Sequence, residues 1–187
     1  MMPKRDTHPV EVAGLRRELP LFEVAPGVRI AIFNMLGDTE IVQASAKALA
    51  RRLPKDAQTL VTAEAKSIPL AYALSVESGL PYVVLRKSYK PYMGVAVSAE
   101  TLSITTGQPQ TLYLDEKDRA LIDGRKIVLV DDVISTGSTL QGMRLILEKA
   151  GGQIIATMAV FTEGERAKWK DIIALGHLPL FVDEAKV

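Results

Sequence analysis

The sequence predicts an open α/β fold, a mainly parallel sheet flanked by helices. Three observations carry that expectation. Strand-like and helix-like stretches alternate through the centre of the chain. The central strands are near-continuous apolar runs, as in Ile127-Val128-Leu129-Val130, which suits strands covered on both faces. The 187 residues are enough for one domain with a sizeable core.

Taken in order, residues 1–10 read as a frayed start. The stretch 11–28 reads as a short helix and then a loop punctuated by Pro20 and Pro26-Gly27. Val28–Leu36 reads as a strand. Asp38 or Thr39 then caps a helix to about Leu53, with Val42, Ala46, Leu49 and Leu53 at helical spacing. A buried strand begins at Thr59–Thr62. The next helix has Pro69 in its first turn and Gly79 past its end, and residues 81–87 form the following strand. Residues 88–125 are rich in Thr, Ser and β-branched side chains. They read as a long hairpin or mobile excursion turning at Gly107-Gln108-Pro109. Residues 125–133 are a strand and 137–150 a helix, with Leu140, Met143, Leu147 and Ala150 as its core stripe and Gly151-Gly152 as its stop. Residues 153–162 read as a strand, 164–176 as a helix and 178–182 as a last short strand.

Composition narrows the function. Hydrophobic residues make up 48% and charged residues 24% of the chain, the balance of a folded domain. The net charge of +1 draws the chain to neither nucleic acid nor an anionic membrane, so any anion site must be local. The absence of cysteine excludes disulfides and thiolate metal sites. His8 and His177 have no spaced partners, which argues against a histidine metal site. No apolar run approaches eighteen residues, and the start lacks the apolar middle of a secretory signal. The expectation is a cytoplasmic protein.

The most informative stretch is "IVLVDDVISTGSTL", Ile127 to Leu140. Burial of the apolar run places Asp131 and Asp132 at the strand's carboxyl end, the ligand edge of an open α/β sheet. Small residues before a helix let backbone N–H groups converge on an anion, and the helix N-terminus adds a favourable field. The hydroxyls of Ser135, Thr136, Ser138 and Thr139 add donors. A phosphate suits the loop, and hydroxyls, a metal or a developing positive charge suit the carboxylates, so a sugar phosphate satisfies both. A turn followed by a simple N-cap would account for the same pieces taken singly. Walker A chemistry is excluded, because Met143 and Arg144 follow Gly142 where Lys and Ser/Thr are required, and no G-x-G-x-x-G occurs.

As a whole, the stretch resembles the phosphoribosyl-pyrophosphate (PRPP) signature of type I phosphoribosyltransferases. Asp131 and Asp132 would then face the ribose hydroxyls, and Ser135, Thr136, Gly137, Ser138 and Thr139 would hold the 5′-phosphate. "TAEAKSIPLA" is similar to the family's pyrophosphate loop, which implies that Ala63, Glu64, Ala65, Lys66 and Ser67 meet the leaving group. Arg86, Lys87 and Lys90 in "LRKSYK" would add positive charge there, as an Arg-Lys pair does in adenine- and xanthine-type enzymes. Asp131, Asp132, Lys66, Arg86 and Lys87 are the expected catalytic set. Residues 93–111 match the family's flexible loop. The stretch 19–36 resembles the small hood of adenine-type enzymes, with Val28, Arg29 and Ile30 beside the base, joined by Val133 from the central sheet. The division implied is one domain, with a hood of about 1–36 plus the C-terminal segment and a core of about 37–160. The family also implies Mg²⁺ held by PRPP and water, with Asp131 as the one candidate protein ligand, and a homodimer.

The resemblance implies a purine phosphoribosyltransferase of the salvage type, converting PRPP and a base into a nucleoside 5′-monophosphate and pyrophosphate. Two departures leave the base open. No aromatic residue follows Pro26-Gly27 until Phe33, and Thr105-Thr106 stand where adenine-specific enzymes carry a glutamate. The chain is also similar to the PRPP-binding domain of bacterial purine repressors, so a non-catalytic regulatory protein of the same fold is the alternative. Glu163, Glu165 and Arg166 fall near the closing edge of the base pocket, where a solvated helix start explains them equally well. Trp169, in a charged stretch, reads as a half-buried anchor.

Overall fold

Apolar runs that cannot tolerate water on either side organise the molecule. The structure, a computed structural model, describes residues 6–102 and 109–183. Its strands are β1 (Thr7–Val12), β2 (Leu15–Ala25), β3 (Val28–Ala31), β4 (Thr59–Ala63), β5 (Tyr82–Leu85), β6 (Val97–Leu102), β7 (Pro109–Leu114), β8 (Lys126–Ile134), β9 (Gln153–Glu163), β10 (Ile173–Leu178) and β11 (Phe181–Val182). Its α-helices are α1 (Thr39–Ala50), α2 (Ile68–Ser78) and α3 (Ser138–Lys149).

Five parallel strands in the order β10-β9-β8-β4-β5 form the central sheet. Alternate side chains of β8 go to opposite cores. Val128 and Val130 join Leu60, Met158 and Val160 beneath α1 and α2, and Ile127 and Leu129 join Val61, Met143, Ile146 and Leu147 beneath α3. Such two-sided burial accounts for the unbroken apolar sequence. The hairpin β6–β7 supplies Ala99, Leu112 and Leu114 to the second core. It is pinned to the end of β5 by a backbone pair between Arg86 and Tyr113, 2.9 and 2.8 Å.

The strand order places the site. From β4 the chain steps outward to β5, then returns to lay β8 on the other side of β4. The carboxyl ends of β4 and β8 therefore flank the point where the winding reverses, the usual ligand crevice of an open α/β sheet. Above it lies a four-stranded antiparallel sheet, β1-β2-β3-β11. It is tied to the first helix by Arg17, whose guanidinium reaches the N-cap carboxylate of Asp38 at 2.7 Å and Glu40 at 2.8 Å.

Two sequence expectations are corrected. Residues 7–25 form a hairpin, not a frayed end and a helix. Val10, Val12, Leu15, Arg17 and Leu19 alternate with a period of two. The two-residue turn puts Ala13 at φ 52° and Gly14 at φ 78°, the geometry that suits strand twist. Residues 164–176 form a short 3₁₀ turn at Arg166–Trp169 and then β10, not one helix. Pairing of the Ile173–Leu178 stretch beside β9 overrides its helical pattern. The central sheet thus continues past residue 160, and the antiparallel sheet takes its fourth strand from Phe181–Val182. The turn expected at Gly107-Gln108-Pro109, and Thr105-Thr106, fall largely in 103–108, outside the described residues.

Candidate active site

At the carboxyl ends of β4 and β8 three adjoining depressions open, and Val133 borders all of them. Asp131 and Asp132 end the buried run of β8. Asp132 is 8% exposed, and its backbone N–H donates to Asp131 Oδ1 at 2.9 Å. Burial, and then the adjacent Asp132 carboxylate, push the Asp131 pKa well above the carboxylate range, while the Asp132 amide and the Ser67 hydroxyl oppose the shift. Neither aspartate has a cationic partner within ion-pair distance among the described residues. Two adjacent carboxylates without a counter-charge suit a ligand carrying hydroxyls or positive charge.

The smallest depression, about 40 Å³, is formed by residues 135–139. Gly137, at φ 80°, turns the chain from β8 into α3, a backbone state that side chains with a Cβ rarely adopt. Gly137, the N-cap of α3, has no side chain to offer, and the Ser138 N–H donates to Thr136 Oγ1 at 3.4 Å. Thr136 Oγ1 and Ser138 Oγ are 3.1 Å apart. Helix N–H groups and hydroxyls facing one small hollow are suited to a tetrahedral anion.

The second depression, about 190 Å³, spans the carboxyl ends of β5, β4 and β8 and is lined by residues 63–67, Lys87, Asp131, Asp132, Val133 and Thr139. The peptide between Glu64 and Ala65 is cis. Glu64 is a staple: its carboxylate accepts from Arg86 Nε at 3.0 Å and from the Lys87 backbone N–H at 2.9 Å. Ser67 is 2% exposed, and its hydroxyl is engaged by Thr62 at 2.7 Å and by the Ala63 carbonyl at 3.2 Å. Lys66 and Lys87 are exposed, and their ammonium groups have no ion-pair partner among the described residues. Arg86 is turned to Glu64 and Tyr92, and Lys90 precedes the 3₁₀ turn Pro91–Met93; neither lines the depression. The free positive charge at this edge therefore comes from Lys66 and Lys87.

The third depression, about 180 Å³, is the apolar one. Ile30, Ala31, Ile32 and Phe33 form one wall and Val133 another, with Lys66, Asp132, Ser135 and Glu163 at its polar edges. Phe33 is held edge-on against Phe161, ring centroids 4.9 Å apart. Val28 and Arg29 do not line it. Val28 pairs with Val182, and Arg29 reaches Asp183 at 3.1 Å and Asp6 at 3.4 Å. The wall begins at Ile30 because β3 runs from the outer edge of the antiparallel sheet inward over the crevice.

Of the residues expected from the sequence, the structure brings together Asp131, Asp132, the loop 135–139, residues 63–67, Lys87, Ile30 and Val133. Ala31, Ile32 and Phe33, which no sequence signal marks as site residues, join them, and so does Glu163. Glu163 is the last residue of β9, the neighbour of β8. The rule that singles out Asp131, an acid ending an apolar strand, applies equally to "AVFTE". Trp169 is an anchor between parts of the site: its ring faces Gly137 and its indole N–H donates to the Glu163 carbonyl at 2.9 Å.

Among the described residues no three His, Cys, Asp or Glu side chains converge as a metal cage. The paired, uncompensated carboxylates of Asp131 and Asp132 fit a divalent cation that arrives with most of its oxygen ligands already on the substrate. No helix among the described residues is long and apolar enough to cross a membrane.

Residues 34–178 match the phosphoribosyl transferase domain family. The hypoxanthine/guanine phosphoribosyltransferase of Methanococcus voltae is 33% identical over 150 residues, covering 80% of this chain and 73% of that protein. The enzyme of the same name from Methanotorris igneus is 40% identical over 110 residues, covering 58% and 56%. The chain spans 55% to 73% of the length of such relatives. In fold, it superposes on the adenine phosphoribosyltransferase of Thermoanaerobacter pseudethanolicus with a TM-score of 0.65 at 20% identity, covering 92% and 95% of the two chains. The Rhodothermus marinus enzyme of that name gives 0.64 at 17% identity, covering 92% and 94%.

Proposed function

The chain belongs to the phosphoribosyl transferase domain family, and from that premise we propose that it transfers the 5-phosphoribosyl group of PRPP to a purine base. One observation carries the reading: three depressions of different chemistry meet at Asp131, Asp132 and Val133. Each matches one part of the reactants, the anion hollow the 5′-phosphate, the lysine edge the pyrophosphate and the apolar walls the planar base.

In the reaction the bond from ribose C1 to the pyrophosphate oxygen breaks, and a bond from C1 to a base nitrogen forms. The proton on that nitrogen leaves to solvent, and pyrophosphate carries away the electron pair. Lys66 and Lys87 neutralise the departing charge. Asp131 and Asp132 orient the ribose hydroxyls and favour the positive charge that develops at C1. Residues 135–139 hold the far end of the sugar, so binding there positions the reacting carbon. Ile30–Phe33 and Val133 keep water from the C1 face. When bound with PRPP, Mg²⁺ would be held near Asp131 or Asp132 and would offset charge on the pyrophosphate oxygens.

The reading includes a homodimer working in the cytoplasm. Tyr72 and Val76, exposed one turn apart on α2, would give a second copy of this chain an apolar face.

The test is to mix protein, PRPP and Mg²⁺ with guanine, hypoxanthine, adenine or xanthine and to measure pyrophosphate. Release with at least one base is expected. PRPP binding without release on any base would leave a non-catalytic sensor in its place.

A further inference from the structure

Glu163 is an acid with nothing to hold. It is 8% exposed, yet its carboxylate makes no hydrogen bond or ion pair with any described residue; its backbone pairs with Leu178 of β10, and its carbonyl accepts from Trp169. It borders the apolar depression opposite Ile30–Phe33. Burial raises its pKa. Lys66 borders the same depression without reaching ion-pair distance of it. A carboxylate largely withdrawn from water and left without a donor is a ready acceptor for a ligand N–H.

We propose that Glu163 selects the base, accepting N–H groups from the N1 edge of a 6-oxopurine and favouring guanine. The inference rests on the purine reading above and names the substrate within it. Guanine presents N1–H and its 2-amino group side by side, so it can donate to both carboxylate oxygens. Hypoxanthine presents N1–H alone. Adenine places the N1 lone pair there, which repels an ionised carboxylate. Xanthine flanks its N1–H with two carbonyl oxygens, which repel it as well. Two donors also favour the ionised form, so guanine draws the group back toward its ordinary titration range. The other candidates in the depression discriminate less. Its walls are apolar, and in the reading above Ser135 belongs to the anion hollow, Asp132 to the ribose and Lys66 to the pyrophosphate edge. A site that hydrogen-bonds a substrate N–H rejects the analogue lacking it far more strongly than an apolar wall does.

The experiment titrates parent and Glu163→Gln protein with guanosine, inosine and adenosine 5′-monophosphates by calorimetry, with ribose 5-phosphate as the reference ligand. Pyrophosphate release with the matching bases is followed in parallel. The parent should bind the guanine nucleotide most tightly and the adenine nucleotide least. The variant should lose about tenfold or more for the guanine nucleotide. It should gain for the adenine nucleotide, because a glutamine amide offers the N–H and C=O pair that matches N1 and the 6-amino group. Ribose 5-phosphate affinity should not change. An unaltered order of preference, or an equal loss for all three nucleotides, overturns the inference. Parent protein that binds in the expected order but releases no pyrophosphate overturns the catalytic reading and leaves this one standing. Failure of every nucleotide to bind the parent overturns both.

Discussion

Trp169 lies over Gly137: a Cβ placed on that glycine would stand 3.1 Å from the indole Cη2. The same ring donates its N–H to the Glu163 carbonyl at 2.9 Å. One side chain thus joins the end of β9 to the loop that opens α3. Gly137→Ala should meet two obstacles, the positive φ of 80° and the ring above it. The left-handed state costs an alanine roughly 1–2 kcal/mol, so affinity for ribose 5-phosphate should fall about tenfold by calorimetry. Unchanged affinity would place the phosphate elsewhere.

Trp169 is the one tryptophan in the chain, so protein emission on selective excitation reports this contact alone. Saturating ribose 5-phosphate should shift or quench it, because an anion settling against Gly137 changes the field at the ring. A titration with no spectral change, at concentrations where calorimetry detects binding, would separate the ring from the phosphate loop.

Glu64 fastens the loop after β4 to the end of β5 through Arg86 and the Lys87 amide. Glu64→Ala removes both bonds. KM for PRPP should rise about fivefold, the equivalent of about 1 kcal/mol, with kcat little altered, because Lys87 loses its anchor and not its charge. Affinity for ribose 5-phosphate, which lacks the pyrophosphate, should be unaffected. An equal loss for both ligands would mean that the staple supports the whole crevice.

Replacing Asp131 and Asp132 together with Asn keeps shape and removes charge. Turnover should drop by about 100-fold or more, the scale of lost transition-state electrostatics, while the circular dichroism spectrum is unchanged. Comparable steady-state rates in variant and parent would take the carboxylates out of the reaction.

What could be read from the residues alone follows from how local each signal is. Asp131, Asp132 and the loop 135–139 lie on one strand–turn–helix unit, so fourteen consecutive residues contain the whole geometry. The apolar wall is different. Ile30–Phe33 face Val133 and Glu163 only after β3, β8 and β9 are assembled, and no short-range pattern encodes that meeting. Arg86 shows the converse. Its position beside Lys87 suggests a substrate contact, but Glu64, 22 residues away, takes its guanidinium. At 164–176 the helical spacing was real, and strand pairing with β9 outweighed it.

The pH dependence of stability offers the last test. Burial and the Asp132 charge push the Asp131 pKa from an ordinary 3.8 up to about 7. The folded state therefore holds this proton more tightly than the unfolded chain does. Stability from that source is fully present below the unfolded value of 3.8 and is lost as pH rises through about 7. Asp131→Asn cannot lose a proton, so the variant escapes the loss. At pH 3.5 the two proteins should melt close together, by pH 5 a gap should have begun to open, and at pH 8 the variant should melt higher by the full margin. Each kcal/mol relieved corresponds to about 2–4 °C in a chain of this size. Mg²⁺ with PRPP should narrow the gap by giving the parent's carboxylates a counter-charge. A difference in Tm that is constant from pH 5 to pH 8 would show that Asp131 does not titrate in this range, and that its charge is already compensated in the free protein.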